Sequence, residues 1–154
     1  MSTEQRGRWR WANVPVPESH VAGLLAGTVA HVLKPLRLLE DQRLARSAGW
    51  GLTGIGLLII GWAVRTVGEL ELDGEKPTAL VTTGPYAFSR NPMYVGWTAL
   101  YLGIAVLLNT AWLLVVLPVV LSAVHLVVRQ EERLLEHEFE DAYRDYQRDV
   151  RRYL

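Results

Sequence analysis

The chain has 154 residues, half of them apolar, and a formal net charge of zero at pH 7. This length corresponds to a single domain, residues 1–154. Because the chain has no cysteine, disulfides, thiolate catalysis and cysteine-ligated metals are excluded. The charged residues are concentrated at the termini and in two loops, which is typical of a membrane protein, and no isolated basic patch indicates nucleic-acid binding.

The first apolar segment, residues 21–33, follows several arginines and is about as long as the apolar part of a signal peptide. No small-residue cleavage site follows it, so we favour a retained first membrane helix. It is shorter than the roughly 20 residues that cross a bilayer, so it either crosses with its basic ends at the interface or lies in the interface. Trp9 and Trp11 are predicted headgroup anchors. The charged connector 34–47 has leucines at helical spacing and is predicted to be interfacial.

Three further apolar segments are predicted to span the membrane, namely residues 48–64, 93–108 and 111–128. The first of the three is rich in glycine, which lets neighbouring helices approach closely. Asn109-Thr110 leaves room only for a tight antiparallel hairpin between the other two. Pro118 is expected to kink the last segment, because proline lacks the backbone donor that a helix needs. The sequence therefore predicts an all-α membrane protein with about four transmembrane helices.

The polar connection at residues 65–91 is too long to be an idle link in so small a domain. Gly84-Pro85 and Arg90-Asn91-Pro92 interrupt helical geometry twice within it. At membrane depth, such a break persists only where the freed backbone groups are buried in protein or line a polar cavity. We therefore interpret residues 80–96 as the floor of a binding site. The acidic run 69–75 is interpreted as a solvated loop with a turn at Asp73-Gly74, not a metal site, since no histidine accompanies it.

A helical pattern continues beyond residue 128 to the C-terminus and predicts an amphipathic helix. Its buried stripe consists of Val128, Leu135, Phe139, Tyr143, Tyr146, Val150 and Tyr153. After Val128 the next inward position should be 131 or 132, and both are glutamates. Carboxylates at the mouth of a membrane span are candidates for function. Arg129 and Glu132 share a helix face with His125 and Glu136, so ordinary surface ion pairs are the alternative.

The distribution of basic residues predicts the orientation in the membrane. If all four segments cross, the N-terminus, residues 65–92 and the C-terminal helix share one face. That face carries twelve Lys and Arg residues against four on the other, so it is predicted to be cytoplasmic. The polar loop and the two glutamates then lie on the same side of the membrane. The hairpin of the last two spans brings the start of one span beside the end of the other.

Several motifs in the second half of the chain resemble those of one enzyme family. They are Leu80-Val-Thr-Thr-Gly-Pro-Tyr86, Arg90-Asn-Pro-Met-Tyr-Val-Gly96, Glu131-Glu132, and the aromatic residues Phe139, Tyr143 and Tyr146. In combination, over about residues 77–153, they resemble the integral membrane methyltransferases of the isoprenylcysteine carboxyl methyltransferase and phospholipid methyltransferase superfamily. The resemblance implies S-adenosylmethionine as the cofactor. It also implies a lipophilic or membrane-associated small substrate, with a carboxylate as one option.

The resemblance also implies roles for individual residues. The cofactor-binding residues would be Gly84, Tyr86, Arg90, Asn91, Pro92, Tyr94, Glu131 and Glu132. Either glutamate would hold the ribose or the ammonium group of the cofactor. The predicted catalytic residues are Arg90, Arg129 and Glu132, since an arginine can hold a carboxylate substrate through its two-pronged guanidinium. No metal is expected.

The chain departs from the family's pattern at three places. Asn91 replaces the most common histidine, and Glu140 stands where a glycine often follows the phenylalanine. The segment 93–108 lacks the Gly-x-Gly pair of the phospholipid enzymes, which argues against a phospholipid substrate.

The prediction is thus a multi-pass methyltransferase in the inner membrane of a prokaryote, with its cofactor site facing the cytoplasm. Its partners would be the lipid bilayer and a lipophilic substrate, and not nucleic acid. One alternative is a non-catalytic membrane bundle of the same fold. The other is a lipid reductase with a nicotinamide cofactor, although the loop offers few basic or glycine-rich contacts for phosphates. The sequence specifies neither the methyl acceptor nor the oligomeric state.

Overall fold

The computed structural model describes residues 6–8, 17–68, 71–73, 76–77 and 79–154. Its four helices are α1 (Glu18–Leu33), α2 (Gln42–Val67), α3 (Pro92–Leu107) and α4 (Trp112–Asp149). A 3-10 helix, Gly84–Ala87, lies in the loop before α3. The predicted all-α architecture is confirmed.

Three very short strands accompany the helices and were not predicted from the sequence. They form an antiparallel sheet in the order β1 (Arg6–Arg8), β2 (Glu71–Asp73) and β3 (Lys76–Pro77). Asp73 pairs with Lys76. Several predicted features lie outside the described residues, namely the anchors Trp9 and Trp11, the acidic residues Glu69 and Glu75, and Gly74 of the predicted turn.

Two of the four helices, α2 and α4, are long and apolar enough to cross a membrane. α1 and α3 have 16 residues each. At 1.5 Å per residue such a helix is about 24 Å long, shorter than a hydrocarbon core of about 30 Å. That all four helices cross therefore stays a prediction.

The connector between α1 and α2 is only partly helical. Residues 34–41 have no helical structure, and α2 begins at Gln42. The side chain of Asp41 caps α2 by accepting hydrogen bonds from the backbone N–H groups of Arg43 (2.8 Å) and Leu44 (3.3 Å). This cap fixes the start of the helix, which leucine spacing alone cannot do.

The last helix, α4, continues far beyond the predicted membrane span but is interrupted at one residue. α4 passes through Pro118, and the residue that leaves helical geometry inside it is Glu140 (φ 44°, ψ −116°) rather than a neighbour of the proline. Of the predicted stripe, Val128, Tyr143 and Tyr146 are buried. The apolar part of α4 ends near Val128, so the two glutamates at 131 and 132 lie beyond it.

The prediction that the helix reaches the C-terminus is wrong for its last five residues. α4 ends at Asp149, and Val150 has extended backbone angles (φ −122°, ψ 133°). Residues 150–154, here called the C-terminal segment, turn back toward the loop before α3. Val150 and Tyr153 therefore do not continue the helical stripe, although their spacing fits it.

The helices pack in two main pairs, α3 against α2 and α1 against α4. Glycines allow the closest approach between α2 and α3. A Cβ atom on Gly56 would lie 2.6 Å from the backbone nitrogen of Leu100, and one on Gly103 would lie 2.6 Å from that of Thr53. A second core, around Tyr101, Leu113 and Val124, fills the space between α1, α3 and α4. The close contact that the glycines of α2 were predicted to allow is thus found, and its partner is α3.

Contacts between the loops define the two ends of the bundle. At one end, the N–H of Ala111 donates to the carbonyl of Leu36 (2.9 Å), and the side chain of Asn109 bonds to the backbone of Leu38 and Leu39. Asn109 itself has a positive φ of 49°, which asparagine tolerates in tight turns. The opposite end holds the sheet, the 3-10 helix and the end of α4, and there the candidate site is found.

Candidate functional site

The loop that enters the site depends on one glycine. Gly84 has a φ of 60°, and a Cβ atom on it would lie 2.8 Å from the hydroxyl of Thr66. Both facts favour glycine at this position. The 3-10 helix follows, with Pro85 buried, and α3 then starts directly at Pro92, where a proline is well placed in the first turn.

Glu132 is the centre of the polar contacts at this end. Its Oε1 accepts hydrogen bonds from Nε (3.1 Å) and Nη2 (3.0 Å) of Arg90 and a longer one from Nδ2 of Asn91 (3.4 Å). Its Oε2 lies 2.9 Å from Nε and 2.8 Å from Nη2 of Arg152. Glu132 is only 5% exposed. Both carboxylate oxygens are therefore already engaged by protein cations.

These contacts also determine the charge state of Glu132. Burial alone would raise the pKa of this carboxyl, but the hydrogen bonds from Arg152 and Arg90, together with their charges, hold the pKa below its ordinary value. Glu132 is thus a buried carboxylate with two arginine partners. Removing either partner would leave a poorly compensated buried charge.

Arg90 joins the loop to the C-terminal segment. Besides Glu132, its Nη1 donates to the carbonyls of Val150 (2.6 Å) and Gln147 (3.2 Å), and its backbone N–H donates to the carbonyl of Arg151 (2.9 Å). These carbonyls lie at the end of α4 and just beyond it, where intrahelical partners are missing. Arg90 therefore acts here as a structural link.

Two neighbours of Arg90 bind the same segment. The hydroxyl of Ser89 (3.3 Å) and Nδ2 of Asn91 (3.1 Å) both donate to the carbonyl of Arg152. Asn91, which replaces a histidine common in the family that the sequence resembles, keeps a donor at this position. The loop and the C-terminal segment therefore form one hydrogen-bonded unit.

Glu131 has different surroundings from Glu132. Its Oε1 accepts a hydrogen bond from the hydroxyl of Tyr94 (2.9 Å), and its side chain is half-buried. Among the described residues, no cation pairs with it. Burial raises the pKa of Glu131 above its ordinary value, and the hydrogen bond from Tyr94 opposes this only in part. Glu131 is thus a partly desolvated carboxylate that a cationic group could still pair with.

A cavity of about 480 Å³ lies between α3, α4 and the C-terminal segment. Its lining residues are Tyr94, Val95, Thr98, Ala99, Leu102, Leu121, Val124, His125, Tyr153 and Leu154. Tyr94 belongs both to this lining and to the pair with Glu131. The cavity and the Tyr94–Glu131 pair are therefore adjacent.

The polar end of the cavity contains a histidine–tyrosine pair. Nδ1 of His125 lies 3.1 Å from the hydroxyl of Tyr153. The sequence placed His125 at the end of a span and left open whether it lines the site. It assigned Tyr153 to a helical stripe, because the end of α4 has no proline or glycine to mark it.

The structure brings together most of the predicted site residues. Those assembled around the loop and the start of α3 are Gly84, Tyr86, Arg90, Asn91, Pro92, Tyr94, Glu131 and Glu132. Tyr86 takes part through its carbonyl, which accepts a hydrogen bond from the hydroxyl of Tyr146 (2.6 Å). Arg129, a predicted catalytic residue, is exposed and does not join the Arg90–Glu132 contacts. Arg152 was missed, since a lone arginine near the C-terminus carries no distinguishing pattern.

A metal-resistance protein is similar to part of this chain. The nickel-cobalt-cadmium resistance protein NccN of Alcaligenes xylosoxydans xylosoxydans is 33% identical over 95 residues, which is 58% of this chain and 44% of that protein. The chain therefore spans less than half the length of this relative. No solved structure matches the chain.

A family model described as phospholipid methyltransferase matches residues 44–142. The match runs from α2 through the loop and α3 and past the two glutamates. It therefore contains the site residues of the loop and both glutamates, but not Tyr146, Gln147 or the C-terminal segment. Because it covers more than half of the chain, the protein belongs to the phospholipid methyltransferase family.

Proposed function

We propose that this protein transfers a methyl group from S-adenosylmethionine to a lipophilic substrate. The observation that carries the proposal is the position of Glu131. It is a half-buried carboxylate with no cationic partner among the described residues, and Tyr94, which binds it, also lines the apolar cavity. Membership of a methyltransferase family supports the same conclusion.

Glu131 is a better partner for such a cofactor than Glu132 is. S-adenosylmethionine carries a sulfonium and an ammonium group, both cationic, and a desolvated carboxylate is a suitable partner for either. Both oxygens of Glu132 already bind Arg90 and Arg152. In this proposal Glu131 holds the cofactor with Tyr94, while Glu132 and Arg90 position the loop that carries Gly84, Tyr86, Asn91 and Pro92.

The bound cofactor supplies an electrophilic methyl group, whose bond to sulfur breaks as its bond to the acceptor forms. The residues of the chain hold the two reactants in line and exclude water, which together can lower a barrier by roughly 7–11 kcal/mol. Apolar side chains of α3 and α4 provide the dry surroundings. Arg129 is exposed, and Arg90 is engaged by Glu132, so neither arginine is free at the cavity to hold a carboxylate substrate.

The substrate in this proposal reaches the cavity from the bilayer. Leu121, which lines the cavity, is 41% exposed on the apolar part of α4. A lipophilic molecule dissolved in the membrane would enter there, while the polar cofactor would enter from the aqueous end beside the loop. The excess of basic residues at that end favours a cytoplasmic position in a prokaryotic inner membrane.

A thermal-shift comparison of the purified protein in detergent tests the proposed function. S-adenosylmethionine and S-adenosylhomocysteine are each expected to raise the melting temperature, since a ligand at 100 times its Kd stabilises by about 2.7 kcal/mol. NADPH is expected to have no effect. A shift with NADPH alone would indicate the reductase, and no shift with any of the three would indicate a non-catalytic bundle.

A further inference from the structure

The cavity between α3, α4 and the C-terminal segment is apolar, and no charged side chain lines it. None of its ten lining residues is Lys, Arg, Asp or Glu. The nearby arginines at 90 and 152 are held by Glu132. An ionised carboxylate or phosphate brought into this cavity would therefore be desolvated without a paired cation, which is strongly unfavourable.

Four lining side chains nevertheless carry polar atoms, and most of these atoms have partners already. The hydroxyl of Tyr94 donates to Glu131, and that of Thr98 donates to the carbonyl of Tyr94 (2.8 Å) while lying 3.1 Å from Nε2 of His20. His125 and Tyr153 bind each other. Nε2 of His125 is left without a hydrogen-bond partner among the described residues.

A neutral imidazole can offer Nε2 either as a donor or as an acceptor. If Tyr153 donates to Nδ1, then Nε2 carries the proton, and if Nδ1 donates to Tyr153, then Nε2 has a free lone pair. A hydroxyl group is the uncharged partner that suits both forms, because it donates and accepts. An ether oxygen suits only one of them.

We propose that this cavity binds an uncharged lipophile that carries a hydroxyl group, with the hydroxyl on Nε2 of His125. In combination with the proposed function, on which this step rests, the hydroxyl oxygen would form a bond to the methyl carbon as the bond between methyl and sulfur breaks. The hydroxyl proton would pass to Nε2 of His125, in the form that has a free lone pair there, and S-adenosylhomocysteine would leave. The binding itself does not require the cofactor. His125 is then the residue that determines specificity, and the apolar side chains of α3 and α4 hold the rest of the molecule.

The C-terminal segment contributes to this specificity by placing Tyr153. Arg152 is fixed on both sides, by its ion pair with Glu132 and by hydrogen bonds from Ser89 and Asn91 to its carbonyl. Tyr153 follows immediately and lies within hydrogen-bonding distance of His125, and both residues line the cavity. The loop before α3, which carries Ser89 and Asn91, therefore also orients Tyr153, the residue that binds the imidazole.

The proposal is tested by binding three matched probes to the full chain in nanodiscs without S-adenosylmethionine, so that no turnover occurs. The probes are 4-octylphenol, 4-octyltoluene, which has a methyl group in place of the hydroxyl, and 4-octylbenzoate. The phenol is expected to bind about tenfold more tightly than the toluene, as one hydrogen bond near 1.4 kcal/mol implies, and the benzoate most weakly. Equal affinities, or tightest binding of the benzoate, would overturn the proposal.

Variants separate cavity binding from partition into lipid. Ala99→Phe fills the cavity and is expected to abolish saturable binding of all three probes. Leu126→Phe, at a residue 63% exposed on the other side of α4, is the matched control and is expected to bind as the parent does. If both variants bind equally, the probes are not in the cavity.

The imidazole is tested separately. His125→Phe is expected to remove the preference for the phenol over the toluene while keeping affinity for the toluene. His125→Gln, which retains a donor and an acceptor, is expected to keep part of the preference. An unchanged preference in His125→Phe would overturn the assignment. Binding of S-adenosylmethionine, measured separately on the parent, distinguishes a failure here from a failure of the proposed function.

Discussion

At the scale of single residues, the adjacent glutamates 131 and 132 respond to their surroundings in opposite ways. Glu132 has two arginine partners and a lowered pKa, whereas Glu131 is desolvated beside a tyrosine and has a raised pKa. Adjacent positions on a helix point about 100° apart, so one residue faces the loop and the other faces Tyr94. The sequence could identify the pair as unusual but could not assign different roles to its members.

These pKa shifts predict opposite effects of pH on stability. The stabilising contribution of Glu132 is complete above its ordinary pKa, near 4.5, and is lost as the pH falls through the lowered folded value. For Glu131, stability is highest below that ordinary value and is lost as the pH rises through the raised one. Melting temperatures from pH 3.5 to 7.5 check this. For each of Glu132→Gln and Glu131→Gln, the melting temperature of the variant is subtracted from that of the parent at each pH. The two differences should change with pH in opposite directions, and changes in the same direction would contradict the opposite pKa shifts.

Glu140 is a second residue whose conformation the sequence does not explain. Its φ of 44° with ψ of −116° is a strained combination for any residue with a Cβ atom. In the family that the sequence resembles, a glycine often stands here, and the backbone gives the physical reason. The chain keeps a conformation suited to glycine without the glycine.

Replacing Glu140 by glycine is therefore expected to stabilise the fold. Relief of the strained backbone should raise the free energy of unfolding by about 1 kcal/mol. The matched control is Ala142→Gly, an exposed position with ordinary helical geometry, which should lower it by about 0.5–1 kcal/mol. Chemical unfolding in detergent measures both changes. Loss of stability in Glu140→Gly equal to that of the control would show that the residue is not strained.

At the scale of elements, the contact between α2 and α3 depends on particular glycines. The glycine-rich span of α2 was predicted to allow close packing, but the spacing could not tell which glycines do so. Gly56 lies against the backbone of α3, whereas a Cβ atom on Gly54 would have no neighbour within 4 Å. The difference depends on the rotation of α2 about its axis, which a nearly uniform apolar segment leaves undetermined.

A pair of alanine substitutions tests this packing. Gly56→Ala is expected to destabilise the protein by about 1–3 kcal/mol, because the added methyl group meets backbone atoms of α3 that cannot move aside. Gly54→Ala, two residues away, is expected to be neutral or to stabilise by up to about 1 kcal/mol. The denaturant midpoint of each variant, at unchanged m-value, is the measurement. Equal destabilisation by both would contradict the observed helix pairing.

The end of α4 shows the limit of pattern reasoning at this scale. Val150 and Tyr153 fit the spacing of a helical stripe, yet the helix ends at Asp149. What ends it is a long-range interaction, since Arg90 donates hydrogen bonds to the carbonyls of Gln147 and Val150. These residues lie 57 and 60 positions further along the chain. Local periodicity contains no information about such a partner.

At the scale of the whole molecule, the order of apolar and polar segments determines most of the architecture. Each predicted apolar run lies almost entirely in a helix, because burial of an apolar stretch requires its backbone groups to bond internally. α2 begins six residues before its predicted span, and α4 continues 21 residues beyond the apolar run that starts it. The loop at 80–96 met the two glutamates as the hairpin predicted. The chain lacks the Gly-x-Gly pair of the phospholipid enzymes, yet it belongs to the phospholipid methyltransferase family, whose model matches residues 44–142.

The predicted orientation can be tested because the chain has no cysteine of its own. Glu40→Cys, in the connector after α1, and Ala79→Cys, in the loop before the site, are both at exposed positions. If all four helices cross with the site inside, an impermeant maleimide should label Glu40→Cys in intact cells and Ala79→Cys only after permeabilisation. Labelling of both from the same side would contradict the four-span arrangement.

The central claim is that Glu131, and not a residue elsewhere on the same helix, holds the cationic cofactor. Calorimetric titration of S-adenosylmethionine into the parent, Glu131→Gln and Glu136→Gln tests it most directly. Glu136, an exposed partner of Arg144, is the control. Loss of a charge-assisted contact in Glu131→Gln should weaken binding about tenfold or more, while Glu136→Gln should bind as the parent does. Equal affinity of Glu131→Gln and the parent would contradict the account.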